Sequence, residues 1–291
     1  MIKGFDPNDP TSLTASTLSR IQQRLKSHLS NPAIRRTVSR DLVHHSMKIG
    51  VPKEYNTLEL QPIVREAWVR TLQRLRERGH SIHSLSLPTT RMALSAYYIL
   101  APAEASSNLA KYDGARYGNK VTREEGTSEV LYAATRGRQF GKEVKRRILL
   151  GSYSLSAAAI NNYFIRAQRV RRLVQQDFNN VFAFLHPLLD HVPNHGLQDE
   201  KVDFILTPTT QFLPPKLKDI QSQAPTDIYS DDVLTVPASL AGLPAASVPV
   251  PLLPNKPIGE NDISSIGMQV IGQYGDDENL LSMARIVETL D

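Results

Sequence analysis

The sequence predicts an α/β protein, a sheet covered by helices. Three observations carry this. Residues 47–88 alternate strand, amphipathic helix, strand. Residues 90–185 carry helical patterning almost throughout. Short apolar segments at 203–210, 245–251 and 266–272 then have the length and β-branched content of strands.

Taken in order, residues 5–46 are polar, with basic patches and few large apolar residues, so they read as a connector that wraps a surface. A short helix is expected over 14–29. MKIGVP (47–52) is a strand closed by Pro52. Val64, Trp68, Leu72 and Leu75 follow at spacings that place them on one helical face, and Gly79 ends that helix. HSIHSLSLP (80–88) returns as a strand, so the unit is βαβ and its two strands are expected to be parallel. The Ala-rich segment 93–110 is a helix leading to the loop YDGARYG (112–118). Helices are expected over 126–136 and 140–150, and a long one over 154–184 with Tyr163, Ala167, Val170, Leu173 and Val174 as its apolar stripe. DFILTPTT (203–210) is a buried strand, 229–241 a short helix, AASVPVP and IGMQVIG strands, and 278–290 a terminal helix.

Composition bounds the chemistry. The chain has 291 residues, a net charge of +5 and no cysteine, which removes disulfides, thiolate metal sites and cysteine nucleophiles. No apolar run approaches the ~20 residues of a membrane helix. MIKGFDPNDPTSL has neither a signal nor a transit pattern, and reads as the interior of a longer chain. No phosphate loop and no G-x-S-x-G elbow is present. His186, His191 and His195, with Asp190 and Asp199 nearby, match no ligand spacing on one helix face, so no metal site is assigned. The basic runs KEVKRR (142–147) and RAQRVRR (166–172) read as solvated helix faces.

Two residues pose a different problem. Arg171 adjoins the apolar stripe, and part of its side chain is expected to face inward. Asp232 opens the apolar, proline-broken stretch DDVLTVPASLAGLPAASVPVP (231–251). Each needs a partner of opposite charge. Either each has an ordinary partner within the chain, or the two hold opposite ends of an amino acid.

SSNLAKYDGARYG, FGKEVKRRILLGSYSLSA, AQRVRRLVQQDF, ILTPTT, DDVLTVPASLAGLPAASVPV and GMQVIG occur in an order that resembles the C-terminal half of the A subunits of glutamyl-tRNA(Gln) amidotransferases, in the amidase-signature family. The resemblance implies an amidase-signature fold, a mixed sheet covered by helices, with 1–46 a linker and 47–291 the C-terminal part of one domain. It implies an activity in which glutamine is hydrolysed by a serine, with a lysine base acting through a second serine. The ammonia passes to a partner, the B subunit, which uses ATP and magnesium to amidate Glu-tRNA(Gln). A small third subunit completes the complex. Arg171 and Asp232 match the family's glutamine-binding Arg and Asp, and Tyr117 a pocket tyrosine.

G-G-S-S-G-G-S, which holds both serines in the family, occurs nowhere in this sequence. Ser106–Ser107 sits in a helical run and Ser264–Ser265 in a polar loop, and neither is nominated. The expectation is half an active site, with a substrate wall, no catalytic residue, no cofactor of its own and no glutaminase activity alone. The alternatives are an inactive partner-binding scaffold or another amidase-signature hydrolase. The expected location is mitochondrial, or cytoplasmic for a bacterial chain.

Overall fold

The computed structural model describes residues 4–9, 11–30, 46–119, 132–189, 201–215, 229, 231–252 and 263–290. These form two compact units, a sheet unit (Met1–Arg91 with Val174–Asp291) and a helical unit (Met92–Leu173).

The sheet unit is built on β1 (Lys48–Pro52), β2 (Ser81–Leu85), β3 (Phe204–Pro208), β4 (Ala245–Pro251) and β5 (Ser265–Ile271), in the order β2-β1-β3-β5-β4. β1 runs parallel to β2 and β3, and β5 runs antiparallel to β3 and β4. The sheet is therefore mixed, and the parallel pair expected from the βαβ pattern is present. β3 is buried at every position, as its unbroken apolar run requires.

The crossover helix α2 (Pro62–Glu77) buries Val64, Ala67, Trp68, Thr71 and Leu75. Leu72 lies at the margin of that stripe, half-buried. The Trp68 indole donates to the Leu206 carbonyl at 3.1 Å, so the one tryptophan ties α2 to the central strand. Arg70 donates to the carbonyls of Pro251 and Leu252, Arg74 to that of Leu290. These contacts carry the guanidinium charges out along the helix while their stems cover apolar surface.

β4 is an edge strand. Leu252 donates to Ser264 and Gly272 donates to Pro244, so even-numbered residues turn their polar groups toward β5. Pro249 and Pro251 therefore fall on the outer edge, where a missing N–H breaks no ladder bond and offers no donor to a further strand. The prolines of the sequence block are compatible with a strand for this reason.

Helix α1 (Ala15–Ser30) occupies the span expected for it. Ile21 is buried, Arg24 donates to the Leu189 carbonyl at 2.8 Å, and the His28 ring lies 4.9 Å from Phe184.

The helical unit contains α3 (Ala93–Asn108), α4 (Ala133–Gln139), α5 (Lys142–Ser154) and the first half of α6 (Phe164–Val181). The α3–α5 contact is close enough that a Cβ on Gly151 would come within 2.1 Å of the Pro102 carbonyl oxygen. Two expectations need correction. The long helix starts at Phe164, not 154, because residues 155–163 close successive turns. Ser156 and the Asn161–Asn162 pair favour such turns over a continuing helix. The stripe is also phased differently. Tyr163 and Leu173 are exposed, whereas Ala167, Val174 and Phe178 are buried. The helix expected over 126–136 falls partly on residues 120–131, outside the described residues, and α4 covers the remainder.

Candidate functional site

Asp232 belongs to the sheet unit, in a 3₁₀ turn, Asp231–Leu234. It is half-buried. Its carbonyl accepts from both the N–H and the Oγ1 of Thr235, each at 3.1 Å, which fixes the turn where it passes into α7 (Val236–Ala241). Leu234, Val236, Pro237, Ala238, Leu240 and Ala241 are buried, so the small apolar residues that follow Asp232 pack as a plug beneath it. Gly242 ends α7 with φ +79°, and both it and Leu243 donate back to Ala238.

Below the turn, one sheet face carries a polar row. Gln269 of β5 stands in register with Thr207 of β3 and Ser247 of β4. Its amide nitrogen donates to the Leu234 carbonyl at 3.2 Å and approaches Thr207 Oγ1 at 3.5 Å. One step along, the hydroxyls of Thr209 and Ser247 bond at 2.7 Å over Gly267. A Cβ at Gly267 would meet them at 2.7 and 2.8 Å. Met268 and Val270, which point to the opposite face, are buried. Sequence reasoning missed this row. The available signal was a glutamine inside the otherwise apolar strand GMQVIG.

Arg171 and Tyr117 belong to the helical unit. Arg171 lies on α6 at the fourth position after Ala167 and the third before Val174, in phase with the buried stripe. It is nevertheless exposed in this chain, so the inward placement expected for it is not what the structure shows. Tyr117 is also exposed. Its carbonyl accepts from Gly114 at 3.0 Å, and its ring lies 5.8 Å from the Lys111 ammonium.

Ser106 lies inside α3 with its hydroxyl donating to Ala103, and Ser265 opens β5. His186 stacks on Tyr274 at 4.8 Å, and its Nδ1 accepts from Leu188. His191, His195, Asp190 and Asp199 lie outside the described residues. The KEVKRR run lies on α5, where Glu143 pairs with Arg146 and Arg147 at 2.7 and 3.0 Å.

The family described as Amidase matches residues 10–281. The chain belongs to the amidase family. The chain is 48% identical to the A subunit of the mitochondrial glutamyl-tRNA(Gln) amidotransferase of Coccidioides posadasii over 300 aligned residues, covering 100% of the chain. It is 50% identical to the protein of the same name from Emericella nidulans, over 99% of the chain. The chain spans 57% of the length of both relatives. Among solved structures, the A subunit of the glutamyl-tRNA(Gln) amidotransferase from Thermotoga maritima is 30% identical, with a TM-score of 0.56 over 87% of the chain and 44% of that structure. A bacterial aryl acylamidase is 17% identical with a TM-score of 0.62, a likeness of fold alone. The amidase-signature architecture and the amidotransferase likeness read from the sequence blocks are both borne out.

Proposed function

We propose that this chain is an A-subunit chain of a mitochondrial, glutamine-dependent glutamyl-tRNA(Gln) amidotransferase, and that it carries the glutamine-recognising residues of that enzyme. The observation that supports the reading is identity near one half, across the whole chain, to relatives bearing that name. Arg171 receives the α-carboxylate through two parallel hydrogen bonds, the geometry in which guanidinium outperforms ammonium. Asp232 receives the α-ammonium, and Tyr117 is assigned to glutamine binding as well. The ordered turn that holds Asp232 supports its role. No residue of the chain is assigned as nucleophile or base. Ammonia release, the partner B subunit that uses ATP and magnesium on Glu-tRNA(Gln), and a small third subunit belong to the whole assembly. Among the described residues no helix is long and apolar enough to cross a membrane.

The test is thermal unfolding of the chain with and without L-glutamine. A ligand bound only by the native state raises the midpoint. A rise that is lost in Arg171→Ala and in Asp232→Asn, with no ammonia released at any concentration, is the expected result. A midpoint unmoved by saturating glutamine would contradict the reading. A second reading, a scaffold that docks other subunits, is favoured by the exposed Leu149, Leu150 and Tyr153 on α5. Co-purification with a B-like subunit, together with glutamine indifference, is its signature.

A further inference from the structure

The turn bearing Asp232 is short. Within it, the Thr235 N–H returns to the Asp232 carbonyl. The carbonyl of Leu234, at the end of the turn, is taken by a side chain from a different element, the Gln269 amide of β5 at 3.2 Å. Gln269 is 4% exposed, and a glutamine so deeply buried in a strand must have its polar atoms satisfied. The same nitrogen approaches Thr207 Oγ1 on β3. One amide thus links the sheet to the acidic turn. The backbone beneath is fixed as well. The Thr209–Ser247 hydroxyl pair closes over Gly267, and a side chain there would force the two hydroxyls apart.

We propose that Gln269 is a positioning residue for ammonium recognition, holding the Asp231–Leu234 turn so that Asp232 presents its carboxylate to the α-amino group of an amino-acid amide. This rests on the assignment of Asp232 to the ligand ammonium. Gln269 does not touch the ligand; it acts through the Leu234 carbonyl. It accounts for a glutamine, rather than the valine or isoleucine that a buried strand favours, at this register position.

The variant is Gln269→Met, which keeps length and volume and removes both polar atoms. Gln269→Asn is the second variant. It stays polar but is one methylene shorter, which withdraws the amide from Leu234. Two readouts are taken on the whole chain. The first is amide hydrogen exchange over 231–236, where the Thr235 N–H reports directly on the turn. The second is affinity for L-glutamine against glutaramic acid, the same molecule without its α-amino group. Exchange over 231–236 is expected to accelerate about tenfold in both variants, since one buried hydrogen bond is lost. The preference for glutamine over glutaramic acid is expected to fall by about the same factor, with affinity for glutaramic acid unchanged.

Unchanged exchange and unchanged preference in a folded variant would overturn the proposal. Equal weakening of both ligands would also overturn it, because that is the mark of a purely structural residue. Should the wild-type chain not distinguish the two ligands, the assignment of Asp232 fails. Exchange over 231–236 then still decides whether Gln269 holds the turn.

Discussion

The two units solve opposite problems. Among the described residues, the largest fully buried side chains all belong to the sheet unit, Phe178, Phe182, Leu206, Leu234 and Met268 among them, although Leu58, Leu185 and Leu281 of that unit are exposed. The helical unit leaves Leu149 71%, Leu150 50%, Tyr153 59% and Leu173 46% exposed. Charge divides the same way. Residues 92–173 hold 14 Lys and Arg against 6 Asp and Glu, a net +8, while the rest of the chain holds 20 against 23, a net −3. The overall +5 therefore hides a basic helical unit and a mildly acidic sheet unit. The contrast teaches that the two units depend on different things. The sheet unit depends on packing and on hydrogen bonds between its strands and helices. Among the described residues, the helical unit holds the close α3–α5 contact and the Arg136 bonds to the carbonyls of Leu109, Ala110 and Tyr112, and it leaves apolar side chains of α5 exposed.

The largest effect expected from breaking that contrast is in the sheet unit. Trp68→Ala removes a buried indole and its bond to Leu206. It should cost about 3–5 kcal/mol, read by chemical denaturation. A cost under 1 kcal/mol would show that the sheet unit is packed no better than its neighbour.

Next comes a charge buried in the sheet unit. Burial lifts the Asp276 carboxyl from 3.8 to about 7, aided by Asp277, Asp203 and Glu278 and opposed by the hydrogen bond from Asn279. The folded pKa lies above the unfolded one, so the stabilising contribution is complete below about pH 4 and is lost as pH rises through about 7. Burial moves neighbouring groups as well, lifting Asp203 and lowering His28. These two, with Asp276 and Asn279, line a small cavity beneath α1. A rise of about three pH units corresponds to at most about 4 kcal/mol. Asp276→Asn should therefore flatten the pH–stability curve between pH 4 and 8 and raise stability at pH 8. A curve that keeps its slope would contradict this.

In the helical unit, Gly151→Ala drives a Cβ into the Pro102 carbonyl. It should cost about 1–3 kcal/mol. Hydrogen exchange should rise within α3 and α5 while β1, β3 and β5 stay protected. The smallest effect belongs to the exposed face. Leu149→Lys should change stability by no more than about 0.5 kcal/mol. A larger loss would mean that this leucine is already buried against something in solution.

Most of the sheet unit was legible in the sequence because its signals are local. The spacing of Val64, Trp68 and Leu75, the stop at Gly79 and the apolar run at 204–208 each follow from a single element's own chemistry. The helical unit was harder. A continuous helix over 154–184 fits the apolar periodicity, but Ser156 and the Asn161–Asn162 pair favour turns that periodicity does not reveal. The phase of α6 was lost for the same reason, because Tyr163 and Leu173 are apolar without being buried. Of the site, Asp232 stood out because two acids precede a packed segment. Gln269 did not, because its significance lies in a bond to a residue 35 positions away, and no local pattern encodes that.

The most direct test of the central claim, that Arg171 and Asp232 read the two ends of one glutamine, pairs two substitutions with two truncated ligands. Affinities of the wild type, Arg171→Ala and Asp232→Asn are measured for L-glutamine, for glutaramic acid, which lacks the ammonium, and for 4-aminobutanamide, which lacks the carboxylate. Each substitution is expected to weaken glutamine by about tenfold or more, the loss of a charge-assisted hydrogen bond. Asp232→Asn should leave glutaramic acid unaffected, and Arg171→Ala should leave 4-aminobutanamide unaffected. Equal losses for all three ligands in either variant would contradict the claim.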